Sequence, residues 1–275
     1  MTEQKFLSYR DSQISYLRFG SGPRKALCFH GYGEEAGSFA FLDMHTGDHY
    51  TFYSIDLPFH GKTEWKEGLN FTNNDLLEIV NNILLKDNPG LPTPDSRHSL
   101  LGFSLGGRIA LSLYQLQPGK IDKLILLAPD GLKMNFWYWL STQTWMGNKF
   151  FGFTMKHPGW FFGFLKLLNK LGLVNASIFK FVNYYIGDEQ VRRSLYTRWT
   201  TLRKLKPAIK KIKAAIRENK TTTRLLYGKH DRIILSSVGD RFKKGIEDQC
   251  TITVIQSGHQ VLHEKHIAEI LPALR

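Results

Sequence analysis

The sequence predicts an α/β fold, a mostly parallel eight-stranded sheet flanked by helices, with a helical insert late in the chain. Three observations carry this. Short β-rich runs alternate with longer helical patterns through most of the 275 residues, the signal of a parallel sheet covered by helices. The stretch Gly102-Phe103-Ser104-Leu105-Gly106-Gly107 joins one such apolar run directly to one such helix. Residues 132–220 differ from their flanks: they hold 17 Lys and Arg against three Asp and Glu, and 18 of the 36 aromatic residues, including five of the six tryptophans. The expected organisation is therefore a core of residues 1–131 and 221–275 with an insert at 132–220.

The elements follow in chain order. Lys5–Ser8 and Ile14–Phe19 read as two opening strands around a turn near Asp11, and Gly20-Ser21-Gly22-Pro23 makes the next turn. Ala26–His30, Tyr50–Asp56, Ser99–Ser104 and Lys123–Ala128 are apolar runs of strand length, as expected of parallel strands buried on both faces. Thr72, Asn73 or Asn74 can cap a helix whose Leu76, Leu77, Val80, Ile83 and Leu84 share one stripe, and Pro92 and Pro94 punctuate the loop after it. Ala110, Leu111, Leu113 and Tyr114 carry a helix out of Gly106-Gly107, which Pro118-Gly119 stops. Arg224–Tyr227 and Thr251–Ile255 supply two strands after the insert.

Composition narrows the class further. With 42% apolar residues, 10 prolines and two cysteines, the chain is neither disordered nor a disulfide scaffold, although Cys28 and Cys250 could pair once. The residues from Met1 to Arg10 contain no apolar leader, and no 18-residue apolar run occurs, so a soluble cytoplasmic protein is expected. The net charge of +13 is concentrated in the insert. No Cys/His ligand spacing and no phosphate-binding glycine loop occurs, so neither metal nor other cofactor is expected.

Chemistry enters at Ser104. A serine between glycines at a strand-to-helix turn sits in strained backbone with its hydroxyl thrust out of the sheet. The same turn aims the Leu105 N–H and the helix N-terminus at any developing oxyanion. A serine hydroxyl needs an imidazole to accept its proton, and a carboxylate to hold that imidazole.

On these residues the chain resembles the α/β-hydrolase family, over nearly its whole length outside the insert. His30-Gly31-Tyr32-Gly33 looks like the family's oxyanion loop, which implies that the Tyr32 N–H donates. Asp56-Leu57-Pro58-Phe59-His60-Gly61 is similar to its D-x-P-G-x-G stretch, with Phe59 where glycine is usual. Tyr227-Gly228-Lys229-His230-Asp231 resembles the turn supplying the acid, and Ser257-Gly258-His259 the histidine loop. The resemblance implies a triad of Ser104, His259 and Asp231, and cleavage of a carboxylic ester through an acyl-enzyme. Relatives that open carbon–halogen or epoxide bonds attack with aspartate at the place of Ser104.

Rivals remain at this level. His60, His230, His263 and His266 compete with His259, and Asp130, after the sixth strand, competes with Asp231. Asp56 reads as a structural tie for its loop. Gly106-Gly107-Arg108 is also similar to a stretch in cofactor-free lyases of menaquinone biosynthesis and in carbon–carbon bond hydrolases. In that reading Arg108, with Arg192, Arg193 and Arg198, would hold a carboxylate substrate. A third reading is a non-catalytic binding protein at a membrane surface.

In this family the insert forms a cap that shapes the substrate pocket, and its aromatic richness favours an apolar acyl or aromatic group, with Phe103 and Trp137 as substrate contacts. Leu202, Leu205, Ile209, Ile212 and Ile216 recur at helical spacing, predicting one helix that turns Lys204, Lys206, Lys210, Lys211 and Lys213 to solvent and starts or kinks at Pro207. The basic insert is also a candidate for weak contact with an anionic membrane surface. No nucleic-acid reading motif accompanies it, and no nucleic-acid partner is expected.

Overall fold

Strands form where the side chains can be buried on the faces the pleat presents. In the computed structural model, which describes residues 2–87, 97–171 and 186–275, eight strands make one sheet. They are β1 (Glu3–Tyr9), β2 (Ser12–Phe19), β3 (Arg24–Phe29), β4 (Tyr50–Ile55), β5 (His98–Phe103), β6 (Ile121–Leu127), β7 (Thr222–Gly228) and β8 (Cys250–Ile255). Their order across the sheet is β1-β2-β4-β3-β5-β6-β7-β8. β1 and β2 pair antiparallel, β2 meets β4 antiparallel, and every pairing from β4 to β8 is parallel. β4 and β5 are buried at every residue, which is why their sequences are continuous runs, whereas β1, at the edge, buries only Leu7 and Tyr9.

Among the described residues the helices of this part are α1 (Leu42–Thr46), α2 (Asn73–Lys86) and α3 (Leu105–Leu116). α2 starts at a capping box: Thr72 Oγ1 accepts from the Asp75 N–H at 3.2 Å, and an Asp75 carboxylate oxygen accepts from the Thr72 N–H at 2.7 Å. Thr72→Ala is expected to cost about 1 kcal/mol and lower the melting temperature by a few degrees, with Thr72→Ser restoring it. Thermal unfolding checks this, and an unchanged midpoint in the alanine variant would remove the cap's assigned role. The expected loop around Pro92 and Pro94 lies outside the described residues.

Phe19, Phe52, Leu101, Ile125, Leu127 and Leu274 belong to one buried cluster on the sheet, each fully buried residue contributing roughly 1.5–3 kcal/mol. Cys28 on β3 and Cys250 on β8 are both buried and free, so the single disulfide that the sequence leaves open does not form. Burial pushes the Cys250 thiol up to about 11 and the Cys28 thiol well above its ordinary value.

The chain divides into two units. The first comprises Met1–Glu67, Phe71–Lys133 and Lys204–Arg275, and the second Gly68–Asn70 and Met134–Arg203. The second unit contains α4 (Phe136–Gln143), α5 (Trp145–Lys156), α6 (Gly159–Lys170) and α7 (Glu189–Thr201). The first adds α8 (Ile209–Asn219), α9 (Ser236–Lys243) and α10 (Ile267–Leu274).

This moves a boundary that composition had set. Residues 204–220, expected in the insert, group with the first unit, because Ile212 and Ile216 on α8 are fully buried there. The single helix expected through Leu202 and Ile216 is also interrupted: Leu202–Lys204 forms one 3-10 turn, and α8 begins only after Pro207. The charge is accordingly divided. Residues 134–203 carry nine Lys and Arg against two acidic residues, and residues 204–220 carry seven against one.

Candidate active site

The site lies at the carboxyl ends of the parallel strands, where an open α/β sheet gathers its loops. β5 ends at Phe103, and Ser104 follows with φ 50° and ψ −115°, before α3 begins at Leu105. A non-glycine residue there stores strain, which the surroundings must hold. They do so through hydrogen bonds on both sides: the Ser104 N–H donates to the Leu127 carbonyl at 2.9 Å, and its own carbonyl accepts from Gly107 at 2.9 Å and Asp130 at 2.8 Å. Gly106 is glycine because a Cβ there would run into the backbone carbonyl of Phe29, so α3 enters the sheet in close contact with the end of β3.

Asp231 follows β7 and His259 follows β8. The two loops are held together by the His230 N–H donating to the Ser257 carbonyl at 2.9 Å, and a Cβ on Gly228 would strike the Gly258 carbonyl. His259 Nδ1 lies 2.7 Å from Asp231 Oδ2, and Nε2 lies 2.9 Å from Ser104 Oγ. The other Asp231 oxygen accepts the N–H groups of Ile233 at 2.7 Å and Ile234 at 3.0 Å. A carboxylate accepts only, so the Nδ1 proton is donated to it and Nε2 is left to accept from the serine hydroxyl. Asp231 is buried, whereas the His259 ring keeps 21% of its surface open.

The rivals are placed elsewhere. Asp130 forms an ion pair with Arg108 and accepts the Gly131 N–H at 2.6 Å, while the hydrogen bond to His259 comes from Asp231. The Arg108 guanidinium pairs with Asp130, so one of the arginines that the lyase reading invoked already holds a carboxylate of the chain itself. Arg192 donates to the Met155 carbonyl at 3.0 Å, and Arg193 pairs with Glu189 at 2.9 Å, so both serve the second unit's own structure. His60 is buried with Nδ1 2.9 Å from the Pro58 carbonyl, His230 faces Gln256, His263 caps Lys265, and His266 lies 3.1 Å from Ser257 Oγ. Asp56 accepts from Ser15, Ala36 and Lys62, as a loop tie should.

The expected oxyanion donors come from two places in the chain: Leu105 follows the serine directly, and Tyr32 follows β3, which pairs with β5. Leu105 is the first residue of α3, where helical N–H groups have no partner inside the helix. Tyr32 follows His30-Gly31 at the end of β3. That loop is fixed by His30, fully buried, whose Nε2 accepts the Leu57 N–H at 3.1 Å and whose Nδ1 lies 2.8 Å from the Gly31 carbonyl. Phe59, standing where the family pattern has glycine, takes φ 63°, a conformation glycine enters without penalty. Phe103 packs its ring 5.5 Å from that of His259, and Trp137 lies exposed on α4 in the second unit, against Phe136.

Sequence reasoning missed one brace. Glu34 accepts the Gly31 N–H at 3.2 Å with one oxygen and the Gln260 side chain at 2.9 Å with the other, tying the Tyr32 loop to the His259 loop. The two residues are 226 positions apart and carry no local pattern, so nothing short of the fold could pair them.

A family model described as "Serine aminopeptidase, S33" matches residues 22–266. An uncharacterized hydrolase of Bacillus subtilis, YugF, is 24% identical over 270 residues, covering 91% of this chain and 90% of its own. The pimeloyl-[acyl-carrier protein] methyl ester esterase of Aeromonas salmonicida is 32% identical over 115 residues, covering 42% of this chain and 41% of that protein. Among solved structures, a probable hydrolytic enzyme from Pseudomonas aeruginosa superposes with a TM-score of 0.65 at 17% identity, over 100% of this chain and 94% of that one, a likeness of fold.

Proposed function

The chain belongs to the serine aminopeptidase S33 family of α/β hydrolases, and from that premise we propose that it cleaves carboxylic esters through an acyl-enzyme on Ser104. The observation that carries this reading is the continuous relay from Asp231 through His259 to Ser104, with both hydrogen bonds under 3 Å. Ser104 Oγ attacks the ester carbonyl as His259 Nε2 takes its proton, and Asp231 stabilises the imidazolium that forms. The Leu105 and Tyr32 N–H groups bind the oxyanion, each worth on the order of 3 kcal/mol to the transition state. His259 then returns the proton to the leaving alcohol, and water, activated by the same imidazole, releases the acid.

The reading extends to an ester with an apolar acyl or aromatic group. The Phe103 ring beside His259 supplies an apolar wall, and a relative that acts on a methyl ester of an acyl chain fits the same chemistry.

A fluorophosphonate probe tests nucleophile, base and oxyanion donors together. Labelling of a single site, mapped to the Ser104 peptide by mass spectrometry, is the expected result; an unlabelled, folded protein would favour the non-catalytic reading. Turnover of p-nitrophenyl esters is expected to rise from acetate to longer chains. Activity confined to acetate would overturn the substrate assignment while leaving the chemistry intact.

A further inference from the structure

The second unit exposes apolar side chains that a water-facing surface would bury. On α5, Trp145, Met146, Phe150 and Phe153 are exposed, the first two at 77% and 75%. Trp160, Phe164 and Leu167 on α6 and Leu171 at its C-terminal cap recur at spacings of four, three and four and are all exposed, forming a stripe along one face. Phe150 and Trp160 pack ring to ring at 5.0 Å, so the two exposed faces are continuous. The angle between α4 and α5 is fixed by Asn148 donating to the Ser141 carbonyl at 3.0 Å and by Thr144 capping Gly147, and α4 presents Phe136, Trp137 and Trp139. A patch of this extent marks an interaction site.

Its charge selects the partner. Residues 134–171 contain Lys149, Lys156, Lys166 and Lys170 and no aspartate or glutamate. All four lysines are exposed among the aromatic rings. A second copy docking on the same face would oppose these lysines to one another with no carboxylate to pair them. An anionic lipid surface offers both requirements at once: phosphates for the lysines, and an acyl boundary for tryptophan and phenylalanine, the residues that settle at that depth. Among the described residues no helix is long and apolar enough to cross a membrane.

We propose that α4–α6 of the second unit dock on anionic phospholipid bilayers, inserting the exposed aromatic face with its lysines at the headgroups. The basic helix α8, which the sequence offered for this role, has spent its apolar stripe in the core of the first unit and keeps only its lysines.

Vesicle co-sedimentation decides the matter. Wild-type protein is expected to bind phosphatidylcholine vesicles containing phosphatidylglycerol at least about tenfold more tightly than pure phosphatidylcholine, with a blue shift of tryptophan emission on binding. Lys149→Glu with Lys166→Glu, and separately Trp145→Ala with Leu167→Ser, should each weaken that binding by about tenfold. Lys204→Glu with Lys210→Glu should change it by less than about threefold. All these side chains are exposed, and circular dichroism and melting verify that each variant is folded. Failure of wild type to bind, equal binding to both vesicle types, or a greater loss in the Lys204/Lys210 variant would overturn the proposal. So would self-association without vesicles that Trp145→Ala abolishes, which would assign the face to a second copy.

Discussion

Ser104→Ala is expected to lower kcat on a responsive p-nitrophenyl ester by about 10⁶-fold, and to abolish fluorophosphonate labelling. Removing the nucleophile removes the covalent route entirely, so His259, Asp231 and the N–H donors are left with no acyl group to act on. The fold should survive. Ser104 is the residue strained at φ 50°, and its backbone is held by hydrogen bonds to Leu127, Gly107 and Asp130 that alanine keeps. Steady-state kinetics with a melting curve checks both halves. An alanine variant retaining more than about a hundredth of wild-type kcat would sink the acyl-enzyme mechanism.

Asp231→Asn is the second large effect, with kcat expected to fall about 10⁴-fold. The reason is directional. The asparagine amide can donate to His259 Nδ1, which turns the ring to the tautomer with its proton on Nε2, and that nitrogen then cannot accept from Ser104 Oγ. Geometry changes little while the base is lost. Asp130→Asn provides the contrast, because its carboxylate pairs with Arg108: kcat should stay within about threefold while stability falls as the largely buried guanidinium loses the opposite charge of Asp130. A larger kinetic loss in Asp130→Asn than in Asp231→Asn would reverse the assignment of the acid.

The candidate site was legible in the sequence where chemistry constrains short stretches. Ser104 between its glycines, and His259 in a loop after the last strand, are local patterns tied to the ends of strands, and strands themselves are legible from buried runs such as Leu124–Leu127. The choice between Asp231 and Asp130 was not legible. Both follow strands, and only the pairing of β7 with β8 sets one of them 2.7 Å from His259, while the turn after β6 sets the other against Arg108. Arg108 shows the same limit: its ion pair with Asp130, 22 residues on, leaves no local mark in the sequence.

The insert shows the same limit in charge and burial. Composition marks 132–220 as one basic, aromatic segment, but composition does not tell which stripe of a helix is buried. The structure assigns α8 to the first unit through Ile212 and Ile216, and leaves the stripe of α6 exposed, although both carry apolar residues at helical spacing.

What the sequence determined by itself is therefore the class of fold, together with the candidate serine and the residue types expected around it, because strand periodicity and glycine-flanked turns are properties of a few consecutive residues. What only the tertiary structure decided is which carboxylate serves the histidine, that Glu34 joins two loops, and which helix faces remain unburied. These depend on residues brought together across tens to hundreds of positions, where hydrogen bonding and burial are set by the packing of whole elements and leave no mark on any one stretch of chain.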